Sequence, residues 1–173
     1  PPVAERQPLE PLVIEPVEKV GQYGGTARFG EIAPRLWEFT CLRCTGLVSY
    51  DQTNTQISVD MAKSYSFSPD LKTLIVELRK GHKWSDGAPF TSADVKFWHD
   101  DLMLDTNIYE NPNDYVTVGG ETMTVDAPDP ETVVFNLPAP KPGLLAHFAT
   151  LFGQGFQPKH FLGQFHPGIN ADD

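Results

Sequence analysis

The chain has 173 residues, of which 40% are hydrophobic and 11% aromatic, and this composition is typical of a folded globular protein. Twenty-three acidic residues against thirteen basic ones give a formal net charge of −10. A surface of this charge repels nucleic acid and anionic lipid, so we expect neither as a partner. The sequence has no run of about eighteen apolar residues, and we therefore expect no direct membrane insertion.

The first part of the chain carries five prolines within twenty residues. Proline fixes φ and lacks the amide that a sheet needs, so residues 1–20 are predicted to form an extended arm or linker. An edge strand at Leu12–Ile14 is the alternative. Beyond the arm, the pattern predicts a short strand over residues 26–30, a short helix over residues 35–42 and a weak strand over residues 55–59.

A β-hairpin is predicted over residues 64–78. Apolar and polar side chains alternate from Thr73 to Leu78, which is the period of a strand with one buried face. Pro69 and Asp70 supply a turn, because proline presets the φ angle that the turn requires. The partner strand is predicted over residues 64–68.

A capped amphipathic helix is predicted to follow, from about Ser92 to Leu104. Thr91 and Asp94 have the spacing of a capping box, which provides hydrogen-bond partners for the exposed amides of the first helical turn. A carboxylate at that position is also favourable near the positive end of the helix dipole. One stripe of the helix is apolar and is expected to pack on the preceding sheet: Val95, Trp98 and Leu102.

The elements after this helix are shorter. A polar loop is predicted from Asp105 to Tyr115, followed by a second hairpin that pairs residues 122–126 with residues 132–137. Short helices are predicted over residues 144–151 and from Pro158 to Leu162. Hairpins with separated helices predict an α+β fold built on antiparallel strand pairs.

A series of short motifs runs along the chain. They are Gly24-Gly25-Thr26, residues 46–51, residues 62–65, residues 78–81, residues 84–87, Pro89-Phe90-Thr91, Asp94-Val95, residues 125–137 and Pro158-Lys159-His160. In this order, over about residues 21–166, they resemble the family 5 solute-binding proteins of ABC importers, which are the dipeptide, oligopeptide and nickel-binding receptors. The resemblance implies the N-terminal part of a type II periplasmic-binding-protein fold, with a mixed sheet, antiparallel hairpins and short helices.

The resemblance also implies a division of the chain into segments. Members of that family are considerably longer and have two lobes, so we expect an N-terminal fragment that lacks the second lobe. Residues 1–20 would be the arm or linker, residues 21–45 a segment of lobe one, residues 46–138 a small extra α+β domain, and residues 139–173 a further segment of lobe one.

The function that the resemblance implies is transport without catalysis. The protein would be the extracytoplasmic solute-binding subunit of an ABC importer, without a cofactor, capturing peptides or similar small solutes in a cleft between lobes. It would deliver them to an ABC permease in the membrane. We expect it in the periplasm, or outside the cell on an N-terminal lipid anchor that this chain has lost. Because closure requires a ligand that contacts both lobes, we expect this chain alone to bind solute weakly or not at all.

The resemblance places solute contacts in the loop after the first strand. Ligands bind beyond the carboxyl ends of strands in open sheets, which favours the loop at residues 30–33. The predicted ligand-binding residues are Glu31, Ile32, Ala33, Trp37 and, in the polar loop after the capped helix, Tyr109. The Glu31 carboxylate would meet the amino group of a peptide. A solvated loop glutamate is the alternative.

Other conspicuous residues are interpreted as structural, and no catalytic or metal site is predicted. Cys41 and Cys44 are expected to be unpaired or packed thiols, with a local disulfide and a metal or redox site as alternatives. The five histidines lack the spacing of a metal site and are expected in surface or capping roles. His99, Asp100 and Asp101 are expected on a solvated helix face, because consecutive helical residues point in different directions. Four aromatic residues are expected in the core: Trp84, Phe90, Phe97 and Trp98.

Two other functions are considered. The first is a hydrolase acting on peptides or oligosaccharides, with Glu31 or the Asp86 region as acid or base, although no nucleophile motif is present. The second is an interaction module in which an unpaired sheet edge joins another copy of the chain.

Overall fold

A four-stranded antiparallel sheet with a helix packed on one face organises the chain. The computed structural model describes residues 7–16, 18–22, 24–26, 45–51, 53–111, 114, 116–150 and 155–170. The strands in these residues are β1 (Val48–Tyr50), β2 (Ile57–Val59), β3 (Ala62–Phe67), β4 (Thr73–Leu78), β5 (Thr117–Val118), β6 (Glu121–Thr122), β7 (Thr124–Asp129) and β8 (Thr132–Asn136). The helices are α1 (Ser92–Phe97), a π-helix (Trp98–Met103), α2 (Leu144–Phe148), α3 (Lys159–Leu162) and a 3₁₀-helix (Gly163–Phe165).

The sheet has the strand order β3-β4-β8-β7, and β1-β2 and β5-β6 form two separate ribbons. Both predicted hairpins are confirmed, since β3 pairs with β4 and β7 pairs with β8. The first strand of the second hairpin is shifted from its predicted position to Thr124–Asp129. The reason is that Thr122 belongs to the β5-β6 ribbon, where it pairs with Thr117.

The core lies on the face of the sheet that α1 covers. Strand β4 follows the predicted alternation, with Leu74, Val76 and Leu78 buried. Leu74 faces Phe135 and Val76 faces Val133 across the β4-β8 pair, so each buried residue has a buried partner. Burying one such side chain completely stabilises the folded state by about 1.5–3 kcal/mol.

The predicted helix is present over most of its expected length, but its second half is a π-helix. Thr91 and Asp94 form the predicted capping box at its start. The amide of Leu104 donates to the carbonyl of His99 at 3.2 Å, which is the i→i+5 bond of a π-turn. His99 is 1% exposed, so the prediction that it lies on a solvated helix face is wrong. The wider turn changes the angular position of each residue, and the aromatic neighbour Trp98 is buried as predicted.

The described part of the N-terminal arm lies across the edge of the sheet. Glu10 donates its amide to the Lys80 carbonyl at 3.2 Å, and its carboxylate binds Lys63 of β3 at 3.1 Å. Leu9 lies over Gly81, where a Cβ would be 2.6 Å from the Leu9 nitrogen. Residues 11–16 form no strand, so the alternative edge strand at Leu12–Ile14 is not present in these described residues.

Both edges of the sheet are therefore protected against pairing with another chain. The arm and β2 lie beside β3, whereas the register of β7 is broken between Asp126 and Asp129, next to Pro128. Irregular and proline-containing edges resist edge-to-edge association. These features argue against the interaction-module alternative within the described part of the chain.

The predictions for the first forty-five residues are mostly untested. The helix predicted over residues 35–42 and most of the strand predicted over residues 26–30 lie outside the described residues. The short helices predicted near the C-terminus are present as α2 and α3. Among the described residues, no helix has the length and apolar character to cross a membrane.

Candidate functional site

The structure places one of the five predicted solute-contact residues. Tyr109 lies in the loop after the π-helix, and its side chain is 39% exposed. The other predicted contacts and the two cysteines lie outside the described residues: Glu31, Ile32, Ala33, Trp37, Cys41 and Cys44. The described part of the candidate site is therefore the loop around Tyr109.

This loop is folded around Asp105. The Asp105 carbonyl accepts the amides of Ile108 at 3.0 Å and Tyr109 at 2.9 Å. Its carboxylate oxygen Oδ1 accepts both the amide and the side-chain Nδ2 of Asn107, each at 2.8 Å. The hydrogen bond from the Asn107 amide is the main reason that the pKa of Asp105 lies below its usual range. Asp105 is consequently an ionised acceptor at neutral pH.

The second carboxylate oxygen of Asp105 faces His166, with Oδ2 and Nε2 3.3 Å apart. His166 Nδ1 accepts the amide of Gly168 at 3.2 Å, so this nitrogen carries no proton. In the neutral ring the proton is then on Nε2, which lies beside the Asp105 carboxylate but makes no hydrogen bond to it. This pair connects the loop with the segment after α3.

A hollow of about 590 Å³ lies between the loop and that segment. It is lined by Leu102, Asp105, Asn107, Ile108, Leu162, Phe165, His166 and Pro167. Its walls are mainly apolar, and the polar residues of its lining are Asp105, Asn107 and His166. A mainly apolar concavity of this size with a few polar groups is typical of a small-ligand site.

Lys141 contacts the chain after this loop, at Asp114 and Thr117. Its ammonium donates to the carbonyl of Asp114 and, at 2.8 Å, to the carbonyl of Thr117. Burial lowers the pKa of Lys141, and the nearby Asp114 carboxylate opposes that shift. The two carbonyls are therefore held by one partly buried cation just before α2.

A second cluster joins the turn before α1 to the residues around α3. The buried Asp94 carboxylate, 3% exposed, accepts the amides of Thr91 at 2.9 Å and Lys159 at 3.0 Å. His160 Nε2 lies 2.6 Å from Asp86 Oδ2. The ring of Phe156 packs edge-on against Phe90, with centroids 5.0 Å apart. The motifs at residues 84–91 and 158–160 are visible in the sequence, but their contact is not, because the two motifs are about 70 residues apart.

A larger hollow, of about 740 Å³, borders this cluster. Residues from both motifs and from the chain end line it: Ala88, Pro89, Thr91, Ala93, Asp94, Lys159, His160, Gly163, Gln164, Phe165, Ile169 and Asn170. Both carboxylate oxygens of Asp94 already have backbone partners here. We therefore interpret the polar contacts of this cluster as structural.

Asp86 does not have the properties of a general acid. Its side chain is 52% exposed, and the hydrogen bond from His160 holds the pKa of Asp86 below its usual range. A carboxyl that donates a proton near neutral pH needs a raised pKa. The Asp86 version of the hydrolase alternative therefore has no support from this geometry.

No group of three or more histidine, cysteine, aspartate or glutamate side chains suited to a metal ion is present among the described residues. His99 shows why a histidine beside a carboxylate does not by itself make a metal site. Its Nδ1 lies 2.6 Å from Asp100, which also binds Lys96 at 2.6 Å. The Asp100 carboxylate is thus already paired with a cation.

Similarity to known proteins extends over nearly the whole chain. The family described as bacterial extracellular solute-binding proteins, family 5 Middle, matches residues 56–168. The periplasmic alpha-galactoside-binding protein of Rhizobium meliloti is 31% identical over 192 residues, covering 96% of this chain and 27% of that protein. A Brucella ovis protein that its name assigns to ABC transporter peptide binding is 36% identical over 121 residues, covering 70% of this chain and 21% of that protein.

Among solved structures, the oligopeptide-binding protein OppA is similar, with a TM-score of 0.86 and 38% identity. The likeness covers 98% of this chain and 26% of OppA, and it confirms the predicted fold class. The chain thus spans about a quarter of the length of the relatives that it matches.

Proposed function

The chain belongs to family 5 of the bacterial extracellular solute-binding proteins, and we propose that it serves as the extracytoplasmic solute-binding subunit of an ABC importer. The observation that carries this proposal is the likeness to OppA, which covers 98% of the chain at 38% identity. Peptides are the proposed solutes, captured in a cleft between lobes and passed to a membrane permease. The division into segments 1–20, 21–45, 46–138 and 139–173 is part of the same proposal.

The proposed solute contacts are those predicted from the sequence: Glu31, Ile32, Ala33, Trp37 and Tyr109. Two observations support Tyr109. Its ring is partly exposed on a loop whose backbone is held by Asp105, and Ile108 beside it is 49% exposed. An aromatic and an aliphatic side chain presented together suit the apolar side chains of a peptide.

An α-galactoside is the second candidate solute. The Rhizobium meliloti relative, whose name gives it this ligand, matches 96% of the chain. A tyrosine ring with an exposed face can stack on the apolar face of a sugar as well as on a peptide side chain. Tyr109 therefore fits both solutes, and they must be separated by experiment.

We propose that the protein acts in the periplasm. The alternative is that it acts outside the cell, tethered to the membrane by an N-terminal lipid anchor. No covalent chemistry is proposed. The family is one of solute receptors, and Asp86, the described candidate for acid catalysis, has a lowered pKa.

Solute uptake by the cells that make this protein tests the proposal. Deleting the gene is expected to reduce uptake of radiolabelled tri-alanine, and the native gene is expected to restore it. Raffinose is the parallel probe for α-galactosides. A Tyr109→Ala gene, expressed at the native level, is expected to restore uptake only in part. Unchanged uptake of both probes after deletion would contradict the proposal.

A further inference from the structure

In the loop that carries Tyr109, the charged Asp105 is largely shielded from solvent, whereas the apolar Ile108 and Tyr109 are exposed together with the neighbouring polar residues. The Asp105 side chain is 16% exposed, whereas Ile108 and Tyr109 are 49% and 39% exposed. A solvated loop would gain free energy from the opposite arrangement, because apolar surface is driven from water and carboxylates are driven toward it. Something in the loop must therefore hold this arrangement against the solvent.

Asp105 provides that restraint through both its backbone and its side chain. The carbonyl closes a turn by accepting the amides of Ile108 and Tyr109. The carboxylate caps the same turn by accepting two hydrogen bonds from Asn107, each at 2.8 Å. Hydrogen bonds to an ionised acceptor are stronger than neutral ones, so the carboxylate stabilises this turn more than a neutral acceptor would.

The pairing with His166 distinguishes Asp105 from the aspartates of ordinary turns. Asp70 closes a similar turn in the β3-β4 hairpin, where its Oδ1 accepts the Ser68 hydroxyl at 2.5 Å and the Lys72 amide at 3.2 Å. Both of these partners are close in sequence. Asp105 instead reaches His166, and so fixes the loop relative to the segment after α3.

His166 is itself held in one orientation. Its Nδ1 accepts the Gly168 amide, and a Cβ at Gly168 would lie 3.3 Å from the imidazole ring, so the ring is closely packed against that backbone. The Phe97 ring of α1 lies nearly perpendicular to the same ring, with centroids 6.3 Å apart. Both side chains of the Asp105–His166 contact are thus held by their surroundings.

We propose that Asp105 is a positioning residue for solute capture: it holds Ile108 and Tyr109 in the orientation in which they meet the solute, and His166 fixes Asp105 in turn. This inference rests on the proposed function and assigns to the loop a geometry that exists before the solute arrives. A preformed contact surface avoids the entropy loss of ordering side chains on binding.

Amide hydrogen exchange in the purified chain tests the positioning. In Asp105→Ala the backbone acceptor of the turn is kept and the carboxylate is lost. We expect exchange at Ile108 and Tyr109 to rise about tenfold or more, since each lost hydrogen bond to a charged group is a large local change. Asp70→Ala is the matched control and should leave these two amides unchanged.

Asp105→Asn separates the two parts of the restraint. The asparagine oxygen can still cap Asn107, but its neutral NH₂ group replaces the charged oxygen that faces His166 Nε2. We expect little change in exchange at Ile108 and Tyr109, and uptake of tri-alanine between those of the native and Asp105→Ala genes. Circular dichroism and the urea midpoint of each variant establish that it is folded. If Asp105→Ala does not fold, native uptake in folded Asp105→Asn overturns the role of His166 in fixing Asp105.

Three results would count against the proposal in different ways. Native exchange rates at Ile108 and Tyr109 in folded Asp105→Ala would overturn the positioning role. Raised exchange with native uptake would overturn its connection with solute capture. If uptake does not depend on the gene at all, the proposed function fails and the solute role of Asp105 fails with it, while the exchange rates still decide whether Asp105 orders the loop.

Discussion

Replacing Asp94 with asparagine tests the contact that joins the start of α1 to the residues before α3. The native carboxylate accepts the amides of Thr91 at 2.9 Å and Lys159 at 3.0 Å. An asparagine has the same shape but one acceptor oxygen, so one of these two buried amides must face an NH₂ group. Losing a hydrogen bond to a charged acceptor costs about 1.5–3 kcal/mol. Losing the negative charge near the helix N-terminus costs about 0.3–1 kcal/mol more.

We therefore expect Asp94→Asn to lower the free energy of unfolding by about 2–4 kcal/mol. The measurement is urea denaturation followed by tryptophan fluorescence, with the slope of the transition compared between variants. Asp101→Asn removes the same charge from the π-helix, at a position where the described residues provide no hydrogen bond to the carboxylate. That control is expected to change the free energy of unfolding by less than about 0.5 kcal/mol. Equal effects of the two substitutions would refute the reasoning about Asp94.

Two further predictions concern the arm and the response to acid. Gly81→Ala and Gly87→Ala both place a side chain at positive φ, +83° and +93°, but only the Gly81 Cβ would clash with Leu9. We expect Gly81→Ala to be the more destabilising and to expose Lys80 to trypsin, and equal effects would contradict docking of the arm. The urea midpoint is expected to fall as the pH is lowered from 5 to 2.5. Folding lowers the pKa of several carboxyls, such as that of Asp129 through its hydrogen bond from Thr132. The stability that such a group adds is fully present above its unfolded-state pKa of about 3.9 and is lost as the pH falls through its folded-state pKa. Asp129→Asn should flatten this slope, and an unchanged slope would contradict the assignment.

The sequence predicts local structure well where one face of an element is buried. The alternation from Thr73 to Leu78 predicts β4 with its observed bounds and buried face. The Thr91–Asp94 spacing predicts the start of α1, because a capping box involves only residues within one helical turn. In both cases the chemistry that determines the structure lies within a few residues.

Three features were missed because they leave no local signal in the sequence. The π-helix from Trp98 leaves no periodic signal over a single turn, so His99 was expected in solvent although it is buried. The pairing of Asp86 with His160 joins residues 74 positions apart, and neither residue type indicates its partner. The orientation of Tyr109 depends on a similar distant contact, between Asp105 and His166. The loop was predicted from its polar composition, but its geometry was not.

The bond between Asp94 and the Lys159 amide also has a consequence for how the chain folds. It closes a loop of 65 residues, and closing a loop becomes harder with length by about 0.6 kcal/mol per doubling. The capping box can form as soon as α1 does, but the second amide arrives only when the chain around residue 159 docks. The helix start is thus completed by a late, non-local event, and contacts of this kind slow folding. During synthesis Asp94 Oδ1 has no amide partner from residue 159 until that residue has been made, so this end of the helix reaches its native state only after a further 65 residues have been added.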